Sequence, residues 1–188
     1  MSRFHLTKPI SRFIAVSAWL SLALTPPLAA ADLTWDNSDG SEAFIWDNQS
    51  NTNWTGSMWN NATPDNAIFG ATGVGTITLQ EAITAGNLTF NTTGYTITGN
   101  TLDFGIADPL ITLAAGANVT INSNSASSTR DLDIEFLSGT SHLTLGGASM
   151  NFDSIDIDNG DLTIALGANV TLSGTSNSGA QDFGFRFG

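Results

Sequence analysis

The sequence predicts an all-β chain built as a parallel β-helix, a solenoid that stacks copies of one strand-turn-strand unit. Three observations carry this. Short runs with apolar residues at every second position dominate residues 76–188, among them Thr76–Leu79, Tyr95–Thr98, Leu110–Leu113, Asn118–Asn122, Asp131–Leu137 and His142–Leu145. That alternation is the mark of strands with one buried and one wet face. Second, Leu88, Leu110, Leu132 and Ile155 align at steps of 22, 22 and 23 residues, and Val119 and Leu143 lie 24 apart. A coil of that length with two or three short strands suits a parallel β-helix. Third, Gly116–Thr120 (Gly-Ala-Asn-Val-Thr) recurs identically at Gly167–Thr171, each time between two short strands. An antiparallel β-sandwich gives similar strand lengths at regular spacing and is the structural alternative.

The elements follow in order. Residues 1–31 read as a secretory signal peptide. Arg3, Lys8 and Arg12 form its basic region, Phe13–Leu24 its apolar stretch, Pro26-Pro27 a break, and Leu28-Ala29-Ala30-Ala31 the small residues a signal peptidase accepts. Cleavage near Ala30 or Ala31 would leave Asp32 or a neighbour as the new N-terminus.

Residues 32–75 form an aromatic, Trp-rich N-terminal cap. Trp35, Trp46, Trp54 and Trp59 all fall here, each beside turn residues such as Asp36-Asn37-Ser38-Asp39-Gly40 and Asp47-Asn48-Gln49-Ser50-Asn51. Buried together, the four rings would plug the open first coil, which otherwise exposes core and strand edges. Exposed and coplanar, they would instead form a platform for sugar rings. Residues 76–188 form the repeat body. Leu, Ile and Val fill its interior, Thr occupies the outer face, and Gly and Asn turn the corners. The frequent Asn-x-Thr triplets, as at Asn53, Asn61, Asn87, Asn91, Asn118 and Asn169, are expected at strand-entry turns.

Charge limits the function. All 17 acidic residues follow residue 31, where only Arg130 and Arg186 oppose them, giving that portion a formal charge of −15 with no lysine. Such a body repels nucleic acid and anionic lipid, whose phosphates need clustered Lys or Arg. With no cysteine, neither disulfides nor thiolate metal sites are available.

Candidate chemistry is sparse. Asp131, Asp133 and Glu135 share one strand face, and Asp153, Asp156 and Asp158 follow about one coil later. Adjacent strands would bring the carboxylates to about 4.8 Å spacing, where like charges need neutralising. Calcium is the natural counter-ion. However, Asp156-Ile157-Asp158-Asn159-Gly160-Asp161 places its glycine one position too early for an EF-hand loop, so a solvated acidic face is the expectation. His142, beside Ser141, completes no defensible Ser-His-Asp order. No catalytic, cofactor-binding or metal-binding residue is assigned, and no cofactor is expected.

A more specific signal lies in motif order. Thr34-Trp35-Asp36, Trp46-Asp47, Asn53-Trp54-Thr55, Trp59, Asp65-Asn66-Ala67-Ile68-Phe69, Thr76-Ile77-Thr78-Leu79, Leu88-Thr89-Phe90-Asn91 and Gly94–Gly99 follow one another. This succession resembles the start of bacterial autotransporter-associated β-strand repeat proteins, closely over Thr34–Leu102 and in texture beyond. The resemblance implies a right-handed, single-stranded parallel β-helix outside the cytoplasm, with no single activity attached. It departs at the end. The chain stops at Phe183-Gly184-Phe185-Arg186-Phe187-Gly188, with neither the membrane barrel of an autotransporter nor a sorting tail. It therefore reads as secreted or surface-located, periplasmic, or a piece of a longer protein.

The expected function is that of an exported, non-enzymatic structural or adhesive protein of the cell exterior, with an extracellular glycan or cell-surface partner. A carbohydrate-binding module using the tryptophans is the alternative, and a polysaccharide-degrading β-helix enzyme the second. Phe183, Phe185 and Phe187 would leave the last coil uncapped and open to self-association.

Overall fold

The computed structural model describes residues 30–126, 129–158, 160–165, 167–172 and 185–187. The signal-peptide expectation falls almost wholly outside these, as does Phe183. All strand pairings among the described strands are parallel, and no helix occurs among the described residues. The parallel solenoid is therefore the fold, and the antiparallel sandwich is set aside. Parallel neighbours cannot be joined by tight hairpins. Here each strand pairs with its counterpart one coil away, and the intervening chain runs around the other sides.

The first coil carries β1 (Asp32–Trp35) and β2 (Ile45–Trp46). The next carries β3 (Asn66–Phe69), β4 (Thr76–Leu79) and β5 (Ile83–Ala85). Then come β6 (Leu88–Phe90), β7 (Tyr95–Gly99) and β8 (Leu102–Phe104), followed by β9 (Leu110–Leu113) and β10 (Asn118–Asn122). Next are β11 (Asp131–Phe136), β12 (His142–Leu145) and β13 (Met150–Phe152). The series ends with β14 (Ser154–Asp158), β15 (Asp161–Ile164), β16 (Val170–Leu172) and β17 (Phe185–Phe187).

These strands stack into a seven-stranded sheet, β1-β3-β6-β9-β11-β14-β17, and a six-stranded sheet, β2-β4-β7-β10-β12-β15. A third side is made by the pairs β5-β8 and β13-β16. Leu102 N donates to Asn124 O at 2.8 Å and Ser125 bridges Met150 in parallel, so that side continues from one pair to the other.

Stacking puts like on like. In the six-stranded sheet Ile77, Ile97, Ile121 and Leu145 form one interior row, continued in register by the exposed Ile164 at the sheet's edge, while Thr76, Thr96, Thr120, Thr144 and Thr163 form one exterior row. Phe69 and Phe90 lie face to face at 4.6 Å with planes 9° apart. Burial of these rows supplies the main stabilisation, at about 25 cal/mol per Å² of apolar surface. No coil buries enough alone, so the stack is cooperative.

One expectation about register is corrected. Leu88 aligns with Ile111, not Leu110, and Ile111 with Ile134. Leu110 sits on the outer face opposite Asp133. A one-residue slip exchanges the faces, and Leu110-Ile111 offers two aliphatic residues between which spacing alone cannot choose. The Leu132–Ile155 and Val119–Leu143 alignments match the structure. The recurring pentapeptide lies between two strands each time, as its sequence setting suggests. Its first copy leads from β9 into β10, at the corner between the two large sheets. The second leads from β15 into β16, on the third side. The shared feature is a local turn, with Gly116 at φ 74° and Gly167 at φ 87°, and not an equivalent place in the coil. Between β13 and β14 the alternation breaks at Asp153, where Phe152 and Asp153 are buried in succession.

Candidate functional site

The four tryptophans converge at the β1–β2 end. Trp35 and Trp46 end the first two strands, and alternation turns both inward. Trp54 and Trp59 come from the long loop between β2 and β3. Trp54 meets Trp35, Trp46, Trp59 and Phe69 at centroid distances of 5.2, 4.9, 4.8 and 5.7 Å. Trp35, Trp46 and Trp59 have no exposed surface, and Trp54 is 2% exposed. These rings meet mostly edge to face, the favoured arrangement for aromatic pairs. The sugar-platform reading required at least two exposed, coplanar rings, and burial rules it out.

Buried amides hold the loop over this nest. Asn53 donates from Nδ2 to Glu42 O and Ile45 O and accepts at Oδ1 from Asp39 N. Asn51 donates to Ile45 O and accepts from Asn53 N. Asn37 Oδ1 accepts from Phe44 N, both residues being left-handed, at φ 51° and 59°. Composition marks these positions only as turn residues. Their adjacency to tryptophans in Asn51-Thr52-Asn53-Trp54 is the signal that they are buried and structural.

Two clefts open on this end, either side of the exposed Met58. One, of about 390 Å³, is lined by Ala31, Gln49, Met58, Asn60, Thr63 and Asp65. The other, of about 400 Å³, is lined by Asp36, Ser38, Thr52, Trp54 and Met58. Asp65, only 7% exposed, escaped notice in the sequence, where it resembles any turn aspartate after proline.

The acidic face of the body is placed largely as its spacing suggests. Asp133 pairs in register with Asp156, and Glu135 with Asp158. Asp131 meets Ser154, whose hydroxyl donates to Asp131 Oδ1 at 2.7 Å. Burial pushes the Asp133 carboxyl above its ordinary value, reinforced by the charges of Asp156, Asp108, Asp131 and Asp158. Asp156 in turn pairs in backbone register with Arg186 of β17. Asp153 lies apart, buried at the β13–β14 corner. Among the described residues no three His, Asp or Glu side chains are grouped to hold a metal ion.

Ser141 and His142 do not form a nucleophilic pair. The Ser141 hydroxyl is buried, donates to Ala114 O at 2.7 Å and accepts from Gly116 N at 3.1 Å. It serves as a corner clamp. His142 turns to the outer face, in register between Asn118 and Asp161.

With this geometry in place, similarity to known proteins becomes informative. In an alignment 168 residues long that covers 79% of its own length, the chain is 40% identical to the "Adhesin BmaC autotransporter" of Brucella suis biovar 1 (strain 1330). The resemblance to autotransporter passengers holds. The chain spans about 5% of that relative's length. No family model and no solved structure matches the chain. This autotransporter-like chain is thus a parallel β-solenoid with a tryptophan nest at one end and a carboxylate row on one flank.

Proposed function

We propose that this chain is an exported, non-enzymatic structural or adhesive protein of the cell exterior. The observation that carries the reading is the identity with an autotransporter adhesin along most of the chain. The architecture supports it. The buried amides of Asn51 and Asn53 at the aromatic end are engaged by backbone, as a scaffold requires. Partners, whether a neutral glycan or a cell-surface protein, would meet the threonine and aspartate outer faces. The formal charge of −15 after residue 31 turns away nucleic acid and anionic lipid.

The test is the location and effect of the protein in its own cell. Externally added protease should degrade it on intact cells, or it should appear in the medium, and cells lacking it should attach less well to a surface. Retention in the cytosol would refute export. Release of sugar from neutral polysaccharides by the purified protein would refute the non-enzymatic reading.

A further inference from the structure

Asp65 is a carboxylate more than nine-tenths buried, and its side chain accepts one hydrogen bond from the described residues, from Ala31 N at 2.8 Å. Burying a carboxylate without a cation is costly, and Arg130 and Arg186 are both far along the coil stack. The donor that Asp65 does have is the backbone nitrogen at the end of the leader. On the other side of the same residue, Ala31 O accepts from Asn66 N at 2.8 Å, which opens the β1–β3 ladder. Ala31 is thus held at both its N–H and its C=O, while Ala30 and Ala31 are exposed.

We propose that the leader is removed between Ala30 and Ala31 and that the α-ammonium released on Ala31 docks on the Asp65 carboxylate, closing the N-terminal edge of the solenoid. This rests on the export reading. In the cleavage, an endopeptidase selective for small residues adds water across the Ala30–Ala31 peptide bond. Ala30 departs with the new carboxylate, and Ala31 keeps the nitrogen, which is protonated near neutral pH. The neutral N–H donor facing Asp65 becomes a cationic group with three donors, one for Asp65 Oδ1 and the others toward the open cleft whose lining includes the polar side chains of Gln49, Asn60 and Thr63. A charge-assisted bond is roughly twice as strong as a neutral one, and the acidic body adds attraction. Cleavage one residue later would remove both Ala31 bonds, leaving Asp65 buried without its donor and Asn66 N without its acceptor.

The sequence makes the test unusually clean. No lysine follows Lys8, so the α-amine is the sole primary amine of the processed chain. The full 188-residue chain, expressed with its own leader in a Gram-negative host, is isolated from the exported fraction and labelled by reductive dimethylation. Mass spectrometry should place the label on Ala31. A chain beginning at Asp32 or elsewhere overturns this inference and leaves export intact. An unprocessed chain kept in the cytosol overturns the export reading and this inference with it. Docking is read from labelling rate, because only the neutral amine reacts. At pH 7 the folded protein should label about ten-fold more slowly than the same protein in urea, equivalent to an amine pKa about one unit above the ordinary 7.7–8.0. Asp65→Asn should remove most of that difference if it folds, and the urea comparison stands if it does not. Equal rates in folded and unfolded protein would overturn the docking.

Discussion

Replacing the buried tryptophans by phenylalanine, one at a time, separates ring packing from indole hydrogen bonding. The loss of ring volume is common to all the variants, so differences between them isolate the N–H. Trp35 Nε1 donates to Gly73 O at 3.0 Å, whereas Trp46 Nε1 and Trp54 Nε1 are buried with no protein acceptor. Trp35→Phe therefore forfeits a bond worth about 0.5–1.5 kcal/mol net, while Trp46→Phe and Trp54→Phe relieve a desolvation penalty of about 1–3 kcal/mol. Trp35→Phe should be the more destabilising by about 1.5–4.5 kcal/mol, adding the two effects. Urea unfolding of residues 31–188, followed by far-ultraviolet circular dichroism, gives the comparison from midpoint shifts at constant slope. Equal losses for all three variants would refute the reasoning. They would mean that the Trp46 and Trp54 indoles are satisfied in solution, by a facing π-cloud or a buried water.

The remaining predictions concern charge, backbone, exposure and assembly. Asp133 holds its proton more tightly folded than unfolded, so its contribution to stability rises as pH falls toward its ordinary value of 3.8. Asp133→Asn should accordingly stabilise the protein at pH 7 by about 0.2–1 kcal/mol, the scale of a cross-strand pair, with the gain shrinking toward pH 4 in urea titrations. Gly99 lies at φ 103° with a Cβ position 2.6 Å from Leu79 O, whereas Gly116, at φ 74°, has open space around it. Gly116→Ala should cost about 1–2 kcal/mol from left-handed strain alone, and Gly99→Ala clearly more, as a lower thermal midpoint. Tryptophan emission of residues 31–188 should be blue-shifted, resist iodide quenching and ignore neutral glycans; a red-shifted, sugar-responsive emission would return the platform reading. Finally, β17 is the terminal strand of its sheet, and the isolated protein should associate with rising concentration by light scattering. A constant monomer mass would exclude association through that end.

Much of the fold could be read in advance because a solenoid writes its repeat into the chain. The period-two runs located most strands, and the threonines of Thr76-Ile77-Thr78 and Tyr95-Thr96-Ile97 already declared which face is wet. What failed was register. Leu110 and Ile111 are both aliphatic, and only the neighbouring coil decides which of them enters the core. The repeated Gly-Ala-Asn-Val-Thr specifies a turn, and a turn is a local object that any corner can use. At the aromatic end, clustering of the tryptophans was legible, but their burial depended on Asn51 and Asn53 drawing the loop over them. Asp65 was invisible because its importance comes from a residue 34 positions earlier, and nothing in the sequence announces that contact.

The tryptophan nest also has a mechanical consequence. In the proposed exterior role the chain would be loaded by shear, and a stack of parallel coils pulled from one end yields by peeling, each detachment breaking one coil's ladders before the next bears load. In this chain the coil with the densest aromatic packing lies at the β1–β2 end. Tension applied from the β17 side would break the β17–β14 ladder first and reach the interlocked indoles last. In the proposed role the chain would act as a graded tether, giving length early and keeping its firmest grip in reserve.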